Sequence, residues 1–316
     1  MKRFMQVLLM AILVSMFATA CGQDNAKDNN KAEENQSKET ANKEAKADEK
    51  KEKELTAEEI TEKSSKVMNN WAGMSYNMTG KTHILAQQGD EKQEINQDLN
   101  MQSKVTNKPF AMELTGTVSM EGQKVPVNSY YKDKTMYQEA PGQGWIAING
   151  MDLEALQQNS QSQNPSEQIQ QFTKMMKEIQ DSGDENKYVK KEEKDGLYII
   201  SLELDEKGLS ILKDQAKDIM KQSMGEQIQQ IAGDALDKMK YNSMNVVFYI
   251  DKNTFEQKKL NQKMSISMEQ DGATMTMDMD ITLDSLKKFD GEIEVPEDVK
   301  KDAQEISMED LQQAQQ

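Results

Sequence analysis

Apolar and polar residues alternate with a period of two along two long stretches of this chain. The first stretch runs from Met74 to about Ile148, and the second runs from about Asn242 to Leu286. Because successive side chains of a strand point to opposite faces, such alternation predicts antiparallel strands with one face buried and one face in water. A hairpin that turns near Asp195 is predicted between the two stretches. A long β-meander, a hairpin and three further strands are therefore expected.

Helical periodicity interrupts the strands in three places. The first predicted helix covers residues 57–71, and Thr56 with Glu59 has the spacing of a capping box at its start. The second predicted helix covers residues 164–182. A third helical pattern covers residues 206–239, and a break is expected within it because it exceeds the usual length of a globular helix.

This order of elements predicts an α+β fold, in which helices gather on one face of a curved antiparallel sheet. The folded part is expected to be one domain over residues 55–316, because a chain of this size can bury one substantial core. No internal repeat is found in it.

The N-terminus has the pattern of a secretory signal. Lys2 and Arg3 precede an apolar run that continues through Phe17. A cationic start followed by a short apolar run is typical of a cleaved signal peptide, and the run is shorter than the roughly 20 residues of a membrane-spanning helix. The pattern predicts a signal peptide over residues 1–20.

Cys21 is the single cysteine of the chain and lies directly after this apolar run, in the sequence ATACG. The sequence resembles the lipobox of bacterial lipoproteins. The resemblance implies that the Cys21 thiol carries a diacylglycerol, with acyl chains such as palmitate, and that Cys21 becomes the new N-terminus. Two acyl chains attach a protein durably to a bilayer, so Cys21 predicts a lipid anchor at the extracytoplasmic face of the cell membrane. A disulfide or a zinc site built on several cysteines is excluded.

Residues 21–54 are expected to form a disordered tether behind this anchor. Positions 22–54 contain no aromatic and no large aliphatic residue, so they cannot bury enough apolar surface to offset the entropy of ordering. A flexible coil of this length spans roughly 30 Å. The folded domain should therefore work close to the membrane.

The folded domain is strongly acidic. The two cationic residues of the signal offset the net charge of −2 in the tether, so residues 55–316 carry the full net charge of −16. Such a surface repels nucleic acid, and no nucleic-acid partner is expected.

Residues suited to catalysis are scarce, and no catalytic residue, metal site or cofactor is predicted. His83 is the single histidine and lies in an alternating strand, which is typical of a packed or surface residue. The sequence has no glycine-rich phosphate loop, HExxH helix or GxSxG elbow. A calcium loop beginning at Asp251 is excluded because Glu256 stands where an EF-hand requires glycine.

Methionine is unusually frequent, with 24 residues in the chain. Methionines and one isoleucine alternate along the faces of two neighbouring predicted strands, at Met264, Ile266 and Met268 and at Met275, Met277 and Met279. Thioethers can bind Cu(I), but copper sites usually recruit histidine or cysteine as well. Because methionine is flexible and polarizable, these six residues are predicted to form an adaptable wall that binds a hydrophobic ligand. An ordinary buried core explains the same alternation.

The mature chain resembles Gram-positive lipoproteins with a LolA/LolB- and LppX/LprG-like domain, a largely uncharacterised group. The matching features are the lipobox at Cys21, the charged tether, the helix-to-strand passage TAEEITEKSSKVMNNWAGMSYNMTG and the late hairpin VVFYIDKNTFEQKKLNQKMSI. The resemblance implies a half-barrel of antiparallel strands wrapped over helices, with a cavity between them that accepts acyl chains. Cys21, the apolar strand faces and the absence of catalytic residues predict a non-enzymatic envelope lipoprotein that binds a hydrophobic ligand, in which the helices of residues 206–239 could act as a lid. A module that binds another envelope protein and holds no ligand is the alternative.

Overall fold

The computed structural model describes residues 54–120, 122–140, 142, 144–151, 165–212, 239–270 and 272–307. These residues form an α+β fold built on one open, curved sheet, and they confirm the predicted fold class. The strands are β1 (Gly73–Gln88), β2 (Glu91–Asn107), β3 (Phe110–Met120), β4 (Gln123–Lys132), β5 (Thr135–Ala140), β6 (Gly144–Asn149), β7 (Val189–Lys194), β8 (Leu197–Leu204), β9 (Met239–Asp251), β10 (Gln257–Gln270), β11 (Ala273–Lys288) and β12 (Gln304–Ser307). The helices are α1 (Ala57–Asn69), α2 (Pro165–Asp181), α3 (Glu185–Tyr188), α4 (Glu206–Ile211) and α5 (Glu297–Asp302).

Several predictions fall outside the described residues. They are the signal peptide over residues 1–20, the anchor at Cys21, the tether as far as residue 53, and residues 213–238 of the third helical pattern, which include most of the suggested lid. Among the helices that are described, none combines the length and the hydrophobicity that a bilayer-spanning segment requires.

The twelve strands follow one another in the order β12-β6-β5-β4-β3-β2-β1-β11-β10-β9-β8-β7. β1 lies near the centre, where it pairs with β2 on one side and with β11 on the other. All neighbouring pairs are antiparallel except β12 and β6, which are parallel. The β1–β11 pairing joins the two alternating stretches of the sequence into one sheet.

The hydrophobic core lies between the helices and the concave face of this sheet. Helix α1 contributes Ile60 and Met68, and helix α2 contributes Ile169, Phe172 and Ile179. Both halves of the sheet, β1 to β6 and β7 to β11, contribute strand residues to the core. They include Met78, Leu99, Val105, Tyr131, Ile200, Leu202, Phe248, Leu260 and Leu283. Since both halves bury side chains under the same two helices, the core holds the halves of the sheet together.

Helix α1 begins as the sequence predicts. Thr56 Oγ1 accepts a hydrogen bond from the Glu59 backbone N–H at 3.1 Å, and the Thr56 backbone N–H donates to Glu59 Oε2 at 2.9 Å. The helix ends at Asn69, two residues before the predicted end, and Trp71 packs into the core beyond it. On the buried side of α1, Thr61 Oγ1 receives a hydrogen bond of 2.9 Å from Thr173 Oγ1 of α2.

The prediction of helix over residues 206–239 is wrong at its C-terminal end. Helix α4 begins at Glu206 but ends at Ile211, and Met239 already lies in strand β9. Met239 pairs there with Met268 of β10, so its position in the sheet sets its conformation.

Asp205 caps helix α4 and joins it to helix α3. Its carboxylate accepts hydrogen bonds from the Gly208 backbone N–H at 2.9 Å, from Lys187 Nζ at 3.1 Å and from the Tyr188 hydroxyl at 3.0 Å. The backbone hydrogen bond from Gly208 is the largest cause that lowers the pKa of Asp205 from 3.8 to about 2, and Lys187 and Tyr188 lower it further.

We expect Asp205 to make folding stability depend on pH in acid. Because its pKa is lower in the folded chain, the carboxylate stabilises the fold fully above about pH 4 and loses this effect as the pH falls towards 2. The urea midpoint of the wild type should therefore fall more steeply between pH 5 and 2 than that of Asp205→Asn. Asp98→Asn, which changes an exposed carboxylate on β2, is the control, and equal slopes for the wild type and Asp205→Asn would contradict the prediction.

A C-terminal strap, residues 289–307, follows strand β11 and is not apparent from the alternation. It buries Ile293, Val295 and Val299, packs α5 near β6 and adds β12 to the edge of the sheet. Lys132 Nζ lies 2.6 Å from Glu294 Oε1. Because Lys132 alternates with the core residue Tyr131, this ion pair indicates that the strap crosses the outer face of the sheet.

Candidate ligand-binding face

The six predicted ligand-binding residues lie side by side on strands β10 and β11. Met264 is opposite Met279, Ile266 is opposite Met277, and Met268 is opposite Met275. The same strands place Leu260 opposite Leu283, and both of these leucines belong to the core. Because the β10–β11 register is unbroken over these pairs, all six side chains point to the concave face. We call the six residues the methionine face.

The methionine face continues onto the strands on either side. On β1, Thr82, Ile84 and Ala86 lie opposite Met279, Met277 and Met275. On β9, the corresponding positions are Met244, Tyr241 and Met239. A register shift beside Asn242 keeps Tyr241 on the concave face. Asn242 Nδ2 donates a hydrogen bond of 3.3 Å to Ser265 Oγ, and Ser267 Oγ donates one of 3.1 Å to Asn242 Oδ1.

Burial differs between the methionine face and the core. Ile266 and Met268 are 6% and 7% exposed, whereas the four other side chains of the methionine face are half-buried. Ile266 and Met268 also stand apart from the main hydrophobic cluster, as do Ile84 on β1 and Ile95 on β2. The concave face thus has two zones, a packed core under α1 and α2 and an apolar extension that is rich in thioethers.

Tyr241 lies beside the methionine face, opposite Ile266, and packs against the core. Burial alone raises the pKa of the Tyr241 hydroxyl to about 12. A phenol with this pKa stays neutral at physiological pH, as a low-dielectric surrounding requires. Tyr241, which packs against the core, is therefore largely shielded from water.

Polar side chains of the concave face were not predicted. Thr82 and Gln97 lie opposite each other on β1 and β2, and both are buried. The signal for them is present in the sequence, because Thr82 follows Met78 in the inward series of β1 and Gln97 precedes Leu99 in that of β2. A polar residue at a position where the alternation calls for a buried apolar side chain would have identified them.

His83 lies on the opposite, outer face of the sheet. Its Nε2 is 2.9 Å from Glu94 Oε1, and its Nδ1 is 3.7 Å from Asp278 Oδ2. The hydrogen bond with His83 is the main cause that lowers the pKa of Glu94. A depression of about 310 Å³ next to His83 is lined mainly by charged and hydroxyl side chains, including those of Lys81, Lys263, Ser265 and Asp280. Met264 and Met279 also line this depression, so His83 is a polar surface residue that lies behind the methionine face, on the other side of the sheet.

Metal ligands of the usual kinds do not converge in the described ranges, since no three His, Cys, Asp or Glu side chains there are placed to hold an ion. Asp251, where the sequence was tested for a calcium loop, caps its own turn. Its Oδ1 accepts hydrogen bonds of 2.9 Å from the backbone N–H groups of Asn253 and Thr254, and these bonds lower the pKa of Asp251.

Comparisons with solved structures return proteins of low identity and low structural similarity. LprF from Mycobacterium bovis is 10% identical, with 76% of this chain and 95% of that chain covered and a TM-score of 0.33. A LolA superfamily protein from Nitrosomonas europaea is 11% identical, with 76% and 96% covered and a TM-score of 0.19. A putative outer membrane lipoprotein-sorting protein domain from Vibrio parahaemolyticus is 11% identical, with 77% and 96% covered and a TM-score of 0.22.

The LolA group, which the sequence resembles, is thus found again among these matches. At TM-scores below 0.5, none of these likenesses bears on what this chain binds. No curated protein matches the chain. A family model does match, and it covers residues 56–304, from the cap of α1 to the start of β12. The chain therefore belongs to DUF6612, a family of unknown function.

Proposed function

We propose that this protein is a membrane-anchored envelope lipoprotein without enzymatic activity that binds a hydrophobic ligand, of the lipid class, against the methionine face. The observation that carries the proposal is the apolar extension of the concave face, where four half-buried methionines lie beyond the packed core.

The choice of methionine supports a ligand that varies in shape. Valine and isoleucine form strands more readily, whereas methionine has three rotatable bonds and a polarizable sulfur that fits irregular apolar partners. Burial of an acyl chain is favourable by about 0.8 kcal/mol for each CH₂ group removed from water. A chain of about ten CH₂ groups buried against the methionine face would therefore contribute about 8 kcal/mol, from which the cost of association is subtracted.

The N-terminus supports an envelope location. Acylated Cys21 would hold the chain on the extracytoplasmic face of the cell membrane, and the tether of residues 21–54 would keep the domain within roughly 30 Å of the bilayer. The acidic domain is repelled by anionic headgroups. A ligand would then come from the membrane or pass to it, while the domain itself stays in water.

Ligand extraction tests the proposal directly. The mature chain, residues 21–316, carrying Cys21→Ala, which removes the proposed acylation site, is isolated from bacteria without detergent, extracted with organic solvent and examined by mass spectrometry. We expect lipid in near-stoichiometric amount, absent from a soluble control protein prepared in the same way. A folded protein without any apolar molecule would contradict the proposal and would favour a module that binds another envelope protein.

A matched pair of substitutions on β11 locates the ligand. Met277→Asp places a charge on the methionine face, whereas Thr276→Asp places the same charge on the outer face one residue away. Because an unpaired carboxylate is costly in an apolar site, we expect Met277→Asp to lower the lipid content at least about tenfold while Thr276→Asp retains it. Equal lipid in the two folded variants would show that the ligand lies elsewhere.

A further inference from the structure

Thr82 is an unsatisfied polar residue in the apolar extension of the concave face. Its side chain is 2% exposed, and its Oγ1 has no hydrogen-bond partner in the described structure. A buried hydroxyl without a partner costs about 1–3 kcal/mol. Valine has nearly the same shape and would avoid this cost, so the hydroxyl opposes stability as the protein stands.

Gln97 adds a second polar group at the same level of the sheet. It is opposite Thr82 on β2 and is 5% exposed. Since Thr82 Oγ1 has no partner, the Gln97 amide does not bond it. A buried amide and a buried hydroxyl therefore lie side by side on the concave face with their hydrogen-bonding capacity not used on each other.

The surroundings of this pair are apolar and flexible. Met279 lies opposite Thr82 on β11, and Met120 lies opposite Gln97 on β3. The methionine face begins at Met279, so an acyl chain resting on that face would reach Thr82 at one end. Methionine side chains change rotamer readily, and movement of Met279 would uncover the hydroxyl.

We propose that the bound lipid presents a carbonyl oxygen, as in an acyl ester, to the Thr82 hydroxyl, with the Gln97 amide as a second donor. This inference rests on the proposed function and adds the chemical class of the ligand. The Thr82 Oγ1–H and the Gln97 Nε2–H donate to the carbonyl, while the hydrocarbon chain lies along the methionine face. The Thr82 hydroxyl then gains the partner that it lacks in the free protein.

The test compares an ester with a hydrocarbon of similar length. Methyl myristate and tetradecane, both delivered as cyclodextrin complexes, displace a fluorescent naphthylamine probe from the mature chain, residues 21–316, carrying Cys21→Ala. We expect Thr82→Val to weaken methyl myristate about 3- to 10-fold, the effect of one lost hydrogen bond, and to leave tetradecane unchanged. Gln97→Leu should act in the same direction, and Thr79→Val on the outer face of β1 serves as the control.

The outcomes separate this inference from the proposed function. If neither compound displaces the probe and the protein holds no lipid, both are wrong. If both compounds bind and Thr82→Val leaves the ratio of their affinities unchanged, the proposed function stands and the carbonyl contact is overturned. Since Thr82→Val removes an unsatisfied hydroxyl, the thermal midpoint of the variant should not fall. A lower midpoint in the same preparation would reveal that ester binding was lost through unfolding.

Discussion

Phe172→Ala should lower the free energy of unfolding by about 3–5 kcal/mol. Phe172 lies on α2 and is 1% exposed. Its ring centroid is 4.6 Å from that of Phe248 on β9, with the ring planes inclined at 55°. Truncation removes this tilted aromatic contact and leaves a cavity between the helix and the sheet, which a rigid β-sheet cannot close. Denaturant titration of the mature chain, residues 21–316, with Cys21→Ala measures the loss.

Lys174→Ala is the matched control for this substitution. Lys174 lies on the same helix two residues further on, and its side chain is exposed. We expect its truncation to change the free energy of unfolding by less than about 0.5 kcal/mol. A loss below about 1 kcal/mol for Phe172→Ala would mean that α2 does not close the core in the way the structure shows.

Gly116→Ala should also destabilise the protein strongly, by about 3 kcal/mol. Gly116 of β3 lies opposite Met101 of β2. A Cβ atom at position 116 would lie 2.2 Å from the Asn100 carbonyl oxygen and 2.7 Å from the Met101 Cα. Because both atoms belong to the backbone of the neighbouring strand, relief of the clash requires the β2–β3 pairing to shift.

Gly80→Ala gives the comparison that isolates the backbone clash. A Cβ atom at Gly80 of β1 would lie 3.2 Å from Leu99 Cδ2, which is the end of a flexible side chain, and 3.3 Å from the Asp280 carbonyl oxygen. We expect this substitution to lower the free energy of unfolding by less than about 1 kcal/mol in the same titration. Similar losses at the two glycines would show that the sheet adapts at Gly116.

These predictions concern the packed core of the concave face, whereas the proposed ligand binds to the apolar extension. The two zones share strands β1, β9, β10 and β11, and Phe172 of α2 packs against β9, which pairs with β10 of the methionine face. Bound ligand stabilises a folded protein by mass action. Removal of lipid should therefore lower the thermal midpoint of the wild type, while Met277→Asp should show a smaller change on the same treatment.

The local elements could be predicted because their signals are local. Alternation places the strands of both stretches, since a period of two depends only on neighbouring residues. The capping box at Thr56 and the turn at Asp195 depend on contacts within a few residues, and both are found. The predicted members of the methionine face likewise share one side because β10 and β11 form an uninterrupted hairpin.

The sequence by itself thus determined the α+β class, most of the strands and helices α1 and α2, and the apolar character of the methionine face. Only the tertiary structure decided that β1 pairs with β11, that β12 joins β6 across the outer face, and that Thr82 and Gln97 meet without bonding each other. The reason is physical. The face on which a side chain lies follows from the strand period, whereas the partner of a strand depends on contacts between residues far apart in the chain.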